Sequence, residues 1–355
     1  MKILFYINVL SHGGAERVIS NVATMMSKRG HQCILATSYP LDNEYRLGED
    51  VVRYNLSQYP IKNFILRNFS LIFKLRSLLK KEKPDILVSF MAEPNFRACF
   101  ASFFLNVKTI LSVRNDPNRE YGSVLNSILA KSLFLVSDGI IFQTNDAINW
   151  FPNRIRRKGH IIINSVDESF YKVSVADNCS GIVSTGRICQ QKNHRLLIEA
   201  FAKIADRVSD DLTIYGEGDC SKLKIIAEER GVSERVHFPG LIDDVANTIN
   251  HYKVYALSSD YEGMPNALLE AMAVGLPCIS TDCPCGGPRM IFNDKMKEFL
   301  TPVGDSDALA EKLLILLSDK AIRDRHATNC KCEANKFRPE VINNQWEEYF
   351  NRFKE

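Results

Sequence analysis

Short apolar runs of strand length alternate with helix-length segments along this chain, and the whole alternation occurs twice. In the first half the strand candidates are 3–8, 32–38, 51–55, 85–90, 109–113, 139–143 and 160–163, with helical periods between several of them, such as 15–29 and 68–81. A polar, irregular stretch over 164–180 interrupts the pattern. It restarts with strand candidates at 181–185, 212–215, 236–239, 254–258, 278–281 and 299–302. Strands separated by helices predict an α/β fold with a parallel sheet covered on both faces. Two such series in 355 residues predict two domains, since that length exceeds what one hydrophobic core usually serves. The boundary is expected near residue 170, giving a first domain over 1–170, a second over 171–338 and a terminal segment over 339–355. That segment sets Trp346, Tyr349, Phe350 and Phe353 at helical spacing.

Composition excludes several classes of protein. Apolar residues at 45% and charged residues at 25% are those of a soluble globular chain. A net charge of +3 is too small to imply nucleic acid. No run of about 18 apolar residues predicts a membrane span. The first residues, Met1 to Asn8, are too short for a signal-peptide core and read as a strand, so a cytoplasmic protein is expected. Ten cysteines invite a metal reading. The closest pairs, Cys283/Cys285 and Cys330/Cys332, have one intervening residue instead of the two to four usual for zinc, and reduced buried thiols are expected.

The most informative stretch is Glu262-Gly-Met-Pro-Asn-Ala-Leu-Leu-Glu270. Gly263 marks a turn, Pro265 suits the first position of a helix, and the helix should run to about Gly275. Two acids after a strand lie where open α/β sheets bind ligands. If both were helical they would stand about 12 Å apart along the axis, suited to gripping two ends of an extended ligand; the alternative is a solvated helix with two surface glutamates. Ser11-His-Gly13-Gly14-Ala-Glu16-Arg17 follows the first strand and opens a helix, where backbone N–H groups can approach an anion. Gly186-Arg187 ends the first strand of the second series, and Lys192 follows. Two cations there can neutralise a diphosphate leaving group, or stand as solvated surface charges. The turns at Gly216-Glu217-Gly218 and Pro239-Gly240 are ordinary connections on their own. Asp305-Ser-Asp307 has the form of a metal site, but the helical text after it favours a cap. Region 61–83 carries seven basic residues against one acid, interleaved with Phe64, Ile65, Leu66, Phe69 and Phe73. It reads as a basic amphipathic helix for a membrane surface, or as a sheet-covering helix with a solvated basic face.

These motifs together resemble the retaining glycosyltransferases of family 4, along essentially the whole chain. The resemblance implies the GT-B fold: two Rossmann-like, doubly wound parallel-sheet domains facing a cleft, often with a terminal helix crossing back to the first domain. It implies that Glu262 contacts the transferred sugar and Glu270 the nucleotide ribose. Arg187 and Lys192 match the family's phosphate-binding pair, and Glu262, Arg187 and Lys192 form the catalytic set. Gly13 and Gly14 would lie beside the donor diphosphate, and the backbone at Gly240 and Leu241 would meet the base. Gly263, Met264, Pro265 and Asn266 complete the nucleotide-sugar set. No metal and no cofactor are implied. Several relatives carry a histidine where this chain has Arg114, so Arg114, Asn115 and Asp116 are acceptor-side candidates; Arg114 would hold an acceptor phosphate or pair with Asp116. The closest resemblance is to bacterial enzymes that build O-antigen, capsule or exopolysaccharide. These move a hexose or N-acetylhexosamine from a UDP-sugar to an undecaprenyl-diphosphate-linked glycan. Such an enzyme would sit peripherally on the anionic inner face of the cell membrane and would not bind nucleic acid. A GT-B sugar-nucleotide epimerase and a non-catalytic glycan-assembly subunit are the alternatives. Replacing either Arg187 or Lys192 by alanine is expected to lower turnover with the fold intact.

Overall fold

The central strand candidates become strands because their apolar runs are long enough to cross a sheet and are buried on both faces, as parallel sheets require, whereas the edge runs at 52–55, 159–161 and 236–240 are only partly buried. The structure, a computed structural model, describes residues 1–11 and 13–354; His12 of the glycine motif and Glu355 of the terminal segment lie outside the described residues. The chain divides into two compact units, Met1–Ser165 with Glu340–Glu355, and Val166–Pro339.

Unit 1 contains β1 (Lys2–Ile7), β2 (Gln32–Thr37), β3 (Val52–Asn55), β4 (Ile86–Phe90), β5 (Lys108–Ser112), β6 (Gly139–Phe142) and β7 (Gly159–Ile161). Their spatial order is β3-β2-β1-β4-β5-β6-β7, and every pairing is parallel. Unit 2 contains β8 (Ile182–Thr185), β9 (Leu212–Tyr215), β10 (Val236–Gly240), β11 (Val254–Leu257), β12 (Cys278–Thr281) and β13 (Leu300–Thr301), in the order β10-β9-β8-β11-β12-β13, again all parallel. Both orders reverse direction once, between β1 and β4 and between β8 and β11. At such a switch point the connections leave in opposite directions and open a crevice beyond the carboxyl ends of the strands. The fold therefore marks one place in each unit where a ligand fits best.

The helices that matter for the site begin at these carboxyl ends. α1 (Gly14–Lys28) buries Val18, Ile19, Val22, Ala23 and Met26 at helical spacing against the sheet. α2 (Phe64–Glu82) is capped by Asn63 and buries Leu71, Leu75, Leu78 and Leu79. α3 (Ala92–Ser102) and α4 (Val124–Leu133) follow β4 and β5. In unit 2, α5 (His194–Ala202) follows β8 and α6 (Asn266–Val274) follows β11. Pro265 is the N-cap of α6 instead of its first helical residue, and Gly275 closes the helix in the left-handed region at φ 102°. Glu262 thus precedes the helix altogether, and the 12 Å axial spacing expected for two helical acids does not apply. α7 (Ser306–Ser318) starts from Asp305, whose carboxylate accepts from the N–H groups of Asp307 and Ala308 at 3.1 and 2.9 Å. That is a cap, and it accounts for the Asp-Ser-Asp text. Among the described residues no helix is long and apolar enough to cross a membrane.

The last helix, α8 (Pro339–Asn351), buries Ile342, Trp346, Tyr349 and Phe350 in the core of unit 1. Trp346 stacks on Phe90 at 6.0 Å, and Glu347 faces both Arg29 and His31. Trp346 is completely buried. Trp346→Ala should therefore cost about 3–5 kcal/mol of unit 1 stability. A urea melt that moves by less than about 1 kcal/mol would mean that α8 is not a working part of that core.

Candidate active site

In unit 2 the switch point lies between the carboxyl ends of β8 and β11, and the loops that leave them are bound to each other. β8 ends in Gly186-Arg187, and the chain then makes a single turn through Gln190–Lys192 before Asn193 caps α5. β11 ends in Ser258-Ser259-Asp260, which leads to Glu262. Asp260 N donates to Gln191 O at 2.8 Å, Ser258 Oγ to Lys192 O at 3.0 Å, and Asn193 Nδ2 to Asp260 Oδ1 at 2.7 Å. Lys192 Nζ reaches Glu262 Oε1 at 2.7 Å. The same oxygen accepts from Ser259 Oγ at 2.8 Å, and Gln191 Nε2 reaches Oε2 at 3.4 Å.

The backbone of Glu262 is clamped as well. Its N–H donates to Pro284 O at 2.6 Å and its carbonyl accepts from Cys285 N at 2.9 Å. The chain after β12 then runs so close that a Cβ on Gly287 would lie 1.7 Å from Gly263 O. Only glycine fits at 287. The Lys192 stem lies against Gly186, and a Cβ on Gly216 would lie 1.8 Å from Gly186 O. Glycine at 216 lets the turns after β8 and β9 lock through Gly186 N to Tyr215 O and Ile188 N to Glu217 O.

The other residues singled out from the sequence fall as follows. Arg187 is exposed and makes no ion pair or hydrogen bond with the described residues. Glu270 lies in the second turn of α6 and is buried, about 6 Å along the axis from Asn266. Gly263 and Met264 are buried between Glu262 and the start of α6. Pro265, the N-cap of α6, makes no side-chain cap hydrogen bond, and the amino terminus of a helix favours an anion. Gly240 ends β10 at φ 91° and accepts from Gly216 N at 2.9 Å, and Leu241 beside it is exposed. In unit 1, Gly13 is the N-cap of α1, also without a side-chain cap, and Gly14 is its first residue. Ser11 Oγ donates to Glu16 at 3.2 Å, so Glu16 braces the turn.

The acceptor-side candidates have partners other than those foreseen. Arg114 does not pair with Asp116. Its guanidinium donates to Asn164 Oδ1, approaches Ser112 Oγ at 3.5 Å and lies over the Phe90 ring at 5.0 Å. Asp116 instead caps a single helical turn, accepting from Asn118 N at 2.9 Å, and Asn115 accepts from Asp116 N. Burial pushes the Arg114 guanidinium down to about 9, against the charge of Glu120. Burial in turn pushes the Glu120 carboxyl up to about 7, opposed by the Tyr121 hydroxyl and by Arg114. Neither Glu120 oxygen makes a well-formed hydrogen bond among the described residues.

The sequence reading passed over Gln191, Ser259, Gly287 and Glu120. Ser259 had a signal in the polar Ser-Ser-Asp run closing an apolar strand, and Gly287 in the Gly-Gly-Pro text at 286–288. Glu120 had none, because its meaning lies in its burial. Among the described residues no cluster of three His, Cys, Asp or Glu side chains is placed to hold a metal. An open polar recess of about 550 Å³ lies elsewhere in unit 2, lined by Asp210, Asp211, Thr213, His237 and His251 among others. Its acids are already held by Lys253, Arg235 and His237, and it is not lined by the loops that leave β8 and β11 at the switch point.

Two family profiles match this chain: "Glycosyltransferase Family 4" over residues 12–170 and "Glycosyl transferases group 1" over residues 180–319. The chain belongs to glycosyltransferase family 4. It is a glycosyltransferase with the GT-B fold. It is 25% identical to a Campylobacter jejuni α-1,4-N-acetyl-D-galactosaminyltransferase named for a diNAcBac-PP-undecaprenol-linked glycan, over 98% of this chain and 97% of that one. It is 26% identical to the lipopolysaccharide core biosynthesis glycosyltransferase LpsE of Rhizobium meliloti, over 89% of this chain and 88% of that one. Anabaena HepE, solved in complex with UDP, superposes with a TM-score of 0.82 at 19% identity, covering 99% of this chain and 100% of that one.

Lys192 and Glu262 are 14% and 8% exposed, so their pair is largely buried. Removing one partner of such a pair typically costs about 3–5 kcal/mol, because the other charge is left uncompensated. Lys192→Ala should therefore destabilise unit 2, contrary to the expectation from sequence, and Glu262→Gln in the same chain should restore part of the loss. Arg187→Ala, at an exposed and unpaired side chain, should change stability by no more than about 0.5 kcal/mol. Denaturant melts of the three variants check this, and equal melts for Lys192→Ala and Arg187→Ala would contradict it.

Glu120 gives the protein a pH response of definite sign. Its folded value lies above the ordinary 4.5, so the folded chain keeps a proton that the unfolded chain has lost. Stability from this group is complete below about 4.5 and falls as pH rises towards 7. Glu120→Gln should raise the thermal midpoint more at pH 8 than at pH 5. A gain that is the same at both pH values would show that the carboxyl ionises normally.

Proposed function

We propose that the chain transfers a hexose or N-acetylhexosamine from a UDP-sugar to a lipid-diphosphate-linked glycan, with retention of anomeric configuration, in bacterial surface polysaccharide synthesis. The observation that carries the proposal is the Lys192–Glu262 pair at the switch point of unit 2, in the loop that Arg187 opens. Arg187 and Lys192 offer two cations, and the amino terminus of α6 adds a dipole of the same sign. A departing nucleoside diphosphate gains charge in the transition state, and groups already fixed around it stabilise that charge without reorganising. In this reading Glu262 meets the transferred sugar, its orientation held by the Pro284–Cys285 backbone. Glu270 holds the ribose, and the backbone at Gly240 and Leu241 meets the base. Gly263, Met264, Pro265 and Asn266 shape the turn between the two acids.

Gly13 and Gly14 keep the role of a backbone anion contact at the end of β1. Arg114, set by Asn164 and Phe90, is the acceptor-side cation. The acceptor hydroxyl attacks the anomeric carbon on the face that the diphosphate leaves. The sugar–phosphate bond breaks as the new glycosidic bond forms, and a phosphate oxygen takes the hydroxyl proton. The protein's cations and helix termini suffice for the diphosphate charge, so activity should survive a chelator. The Campylobacter relative, whose name states an undecaprenol-diphosphate-linked glycan, supports the acceptor class. An acceptor of that kind places the enzyme peripherally on an anionic membrane face, with the basic side chains of α2 towards it.

Incubating the protein with a panel of UDP-sugars and a polyprenyl-diphosphate glycan tests the reading. UDP release that depends on the acceptor is expected. A UDP-sugar converted to another UDP-sugar without acceptor would mark an epimerase, and no turnover with any pair would mark a non-catalytic subunit. The two acids should separate by function. Glu270→Gln should weaken UDP binding roughly tenfold or more, since it removes a charged hydrogen bond to the ribose. Glu262→Gln should spare UDP and damage transfer. Calorimetry with UDP alone decides it, and equal losses in both variants would overturn the assignment.

A further inference from the structure

The exposed apolar side chains of unit 1 are concentrated on three neighbouring elements. α2 exposes Phe64, Ile65, Leu66, Phe69 and Phe73, each by 59–66%. The turn after α3 exposes Phe103 by 49% and Phe104 by 90%. α4 exposes Val124, Leu125 and Ile128 by 78%, 67% and 58%. A solvated sheet-covering helix keeps such residues inward, as α2 does with Leu71 and Leu75. Large apolar patches that stay outward mark an interaction surface.

These elements are tied into one surface. Phe69, Phe73, Arg76 and Lys80 recur at helical spacing along one stripe of α2. Arg76 Nη1 donates to the carbonyls of Ala101 and Phe103 at 2.9 and 2.7 Å, which fixes the tip of α3 beside that stripe. α3 packs against both α2 and α4. The cations around the patch are exposed: Lys62, Lys74, Lys80, Lys81 and Lys83 on or beside α2. The acid among them, Glu82, is held by Lys2 at 2.8 Å.

We infer that Phe103, Phe104 and the first turns of α4 insert into the hydrocarbon boundary of an anionic bilayer while the lysines of α2 lie on its headgroups. This rests on the membrane-surface reading above and deepens it, because it adds an apolar, salt-resistant attachment to an electrostatic one. Apolar residues rimmed by cations fit that boundary, where each buried methylene and each lysine contributes separately. A second copy of the chain fits less well. A two-fold interface would bring the same basic rim against itself.

Vesicles of phosphatidylcholine with phosphatidylglycerol, sedimented with the protein at low and high salt, test the inference. The wild-type protein should bind at 0.1 M NaCl and keep a substantial bound fraction at 1 M. A variant with Phe104→Asn and Leu125→Ser should still bind at low salt but lose its bound fraction at 1 M by about tenfold or more. Asparagine suits the positive φ of 59° at position 104, so the fold is kept. Circular dichroism checks that. In a Phe104→Trp protein the added fluorescence should shift to the blue and be quenched by lipids brominated on the acyl chain. Equal binding of both proteins at 1 M, or no quenching, overturns insertion. A wild-type dimer that the double variant dissociates, with vesicle binding unchanged, would instead seat a second copy on the patch and also overturn it. Loss of low-salt binding on replacing Lys74, Lys80 and Lys81 by glutamine is expected from the electrostatic reading alone. No low-salt binding by the wild-type protein would sink that reading, whereas low-salt binding without a salt-resistant fraction sinks only insertion.

Discussion

The contact between Lys192 and Glu262 organises the proposed donor site. It joins the loop that leaves β8 to the loop that leaves β11, across the point where the winding of the sheet reverses. Without it the two loops would still share backbone bonds through Asp260 and Ser258, but the lysine would have no fixed direction. With it, a mobile cation becomes a positioned one, five residues along the same loop from the exposed Arg187. The pair is also costly to disturb, because both charges are largely out of water. Function and stability thus meet in one interaction, which is why the two cations should respond differently to substitution.

The supporting structure is mostly backbone. Glu262 is held by the 284–285 segment, and the chain can pass this close only because Gly287 lacks a side chain that would strike Gly263 O. The turns after β8 and β9 interlock on the same principle at Gly186 and Gly216. The backbone clamp fixes where the Glu262 side chain starts, and Lys192, Ser259 and Gln191 then fix its carboxylate. In unit 1 an analogous chain of contacts runs from the terminal helix through Trp346 and Phe90 to Arg114. The tail of the sequence therefore supports a residue more than two hundred positions earlier.

Most of the fold was legible because parallel strands are buried on both faces and stand out as apolar runs between glycine turns. The thirteen strands among the described residues fall on the thirteen runs read from the sequence, with ends shifted by a residue or two. The Asp305 cap was legible for the same local reason. What was not legible depends on distance along the chain. Arg114 finds Asn164 fifty residues away, so the nearby Asp116 was a tempting but wrong partner. Glu120 looks like an ordinary acid until its burial is known. The amphipathic text of α2 was readable, whereas the apolar face of α4 was not, because its hydrophobic residues were indistinguishable from core until the packing left them outside.

A crystal structure of the protein with UDP bound tests the central claim most directly. The diphosphate is expected against Arg187 and Lys192, at the amino terminus of α6, with the ribose on Glu270 and the base beside Gly240 and Leu241. UDP seated instead in the polar recess beside Asp210 and His237, or making no contact with Arg187 and Lys192, would contradict it.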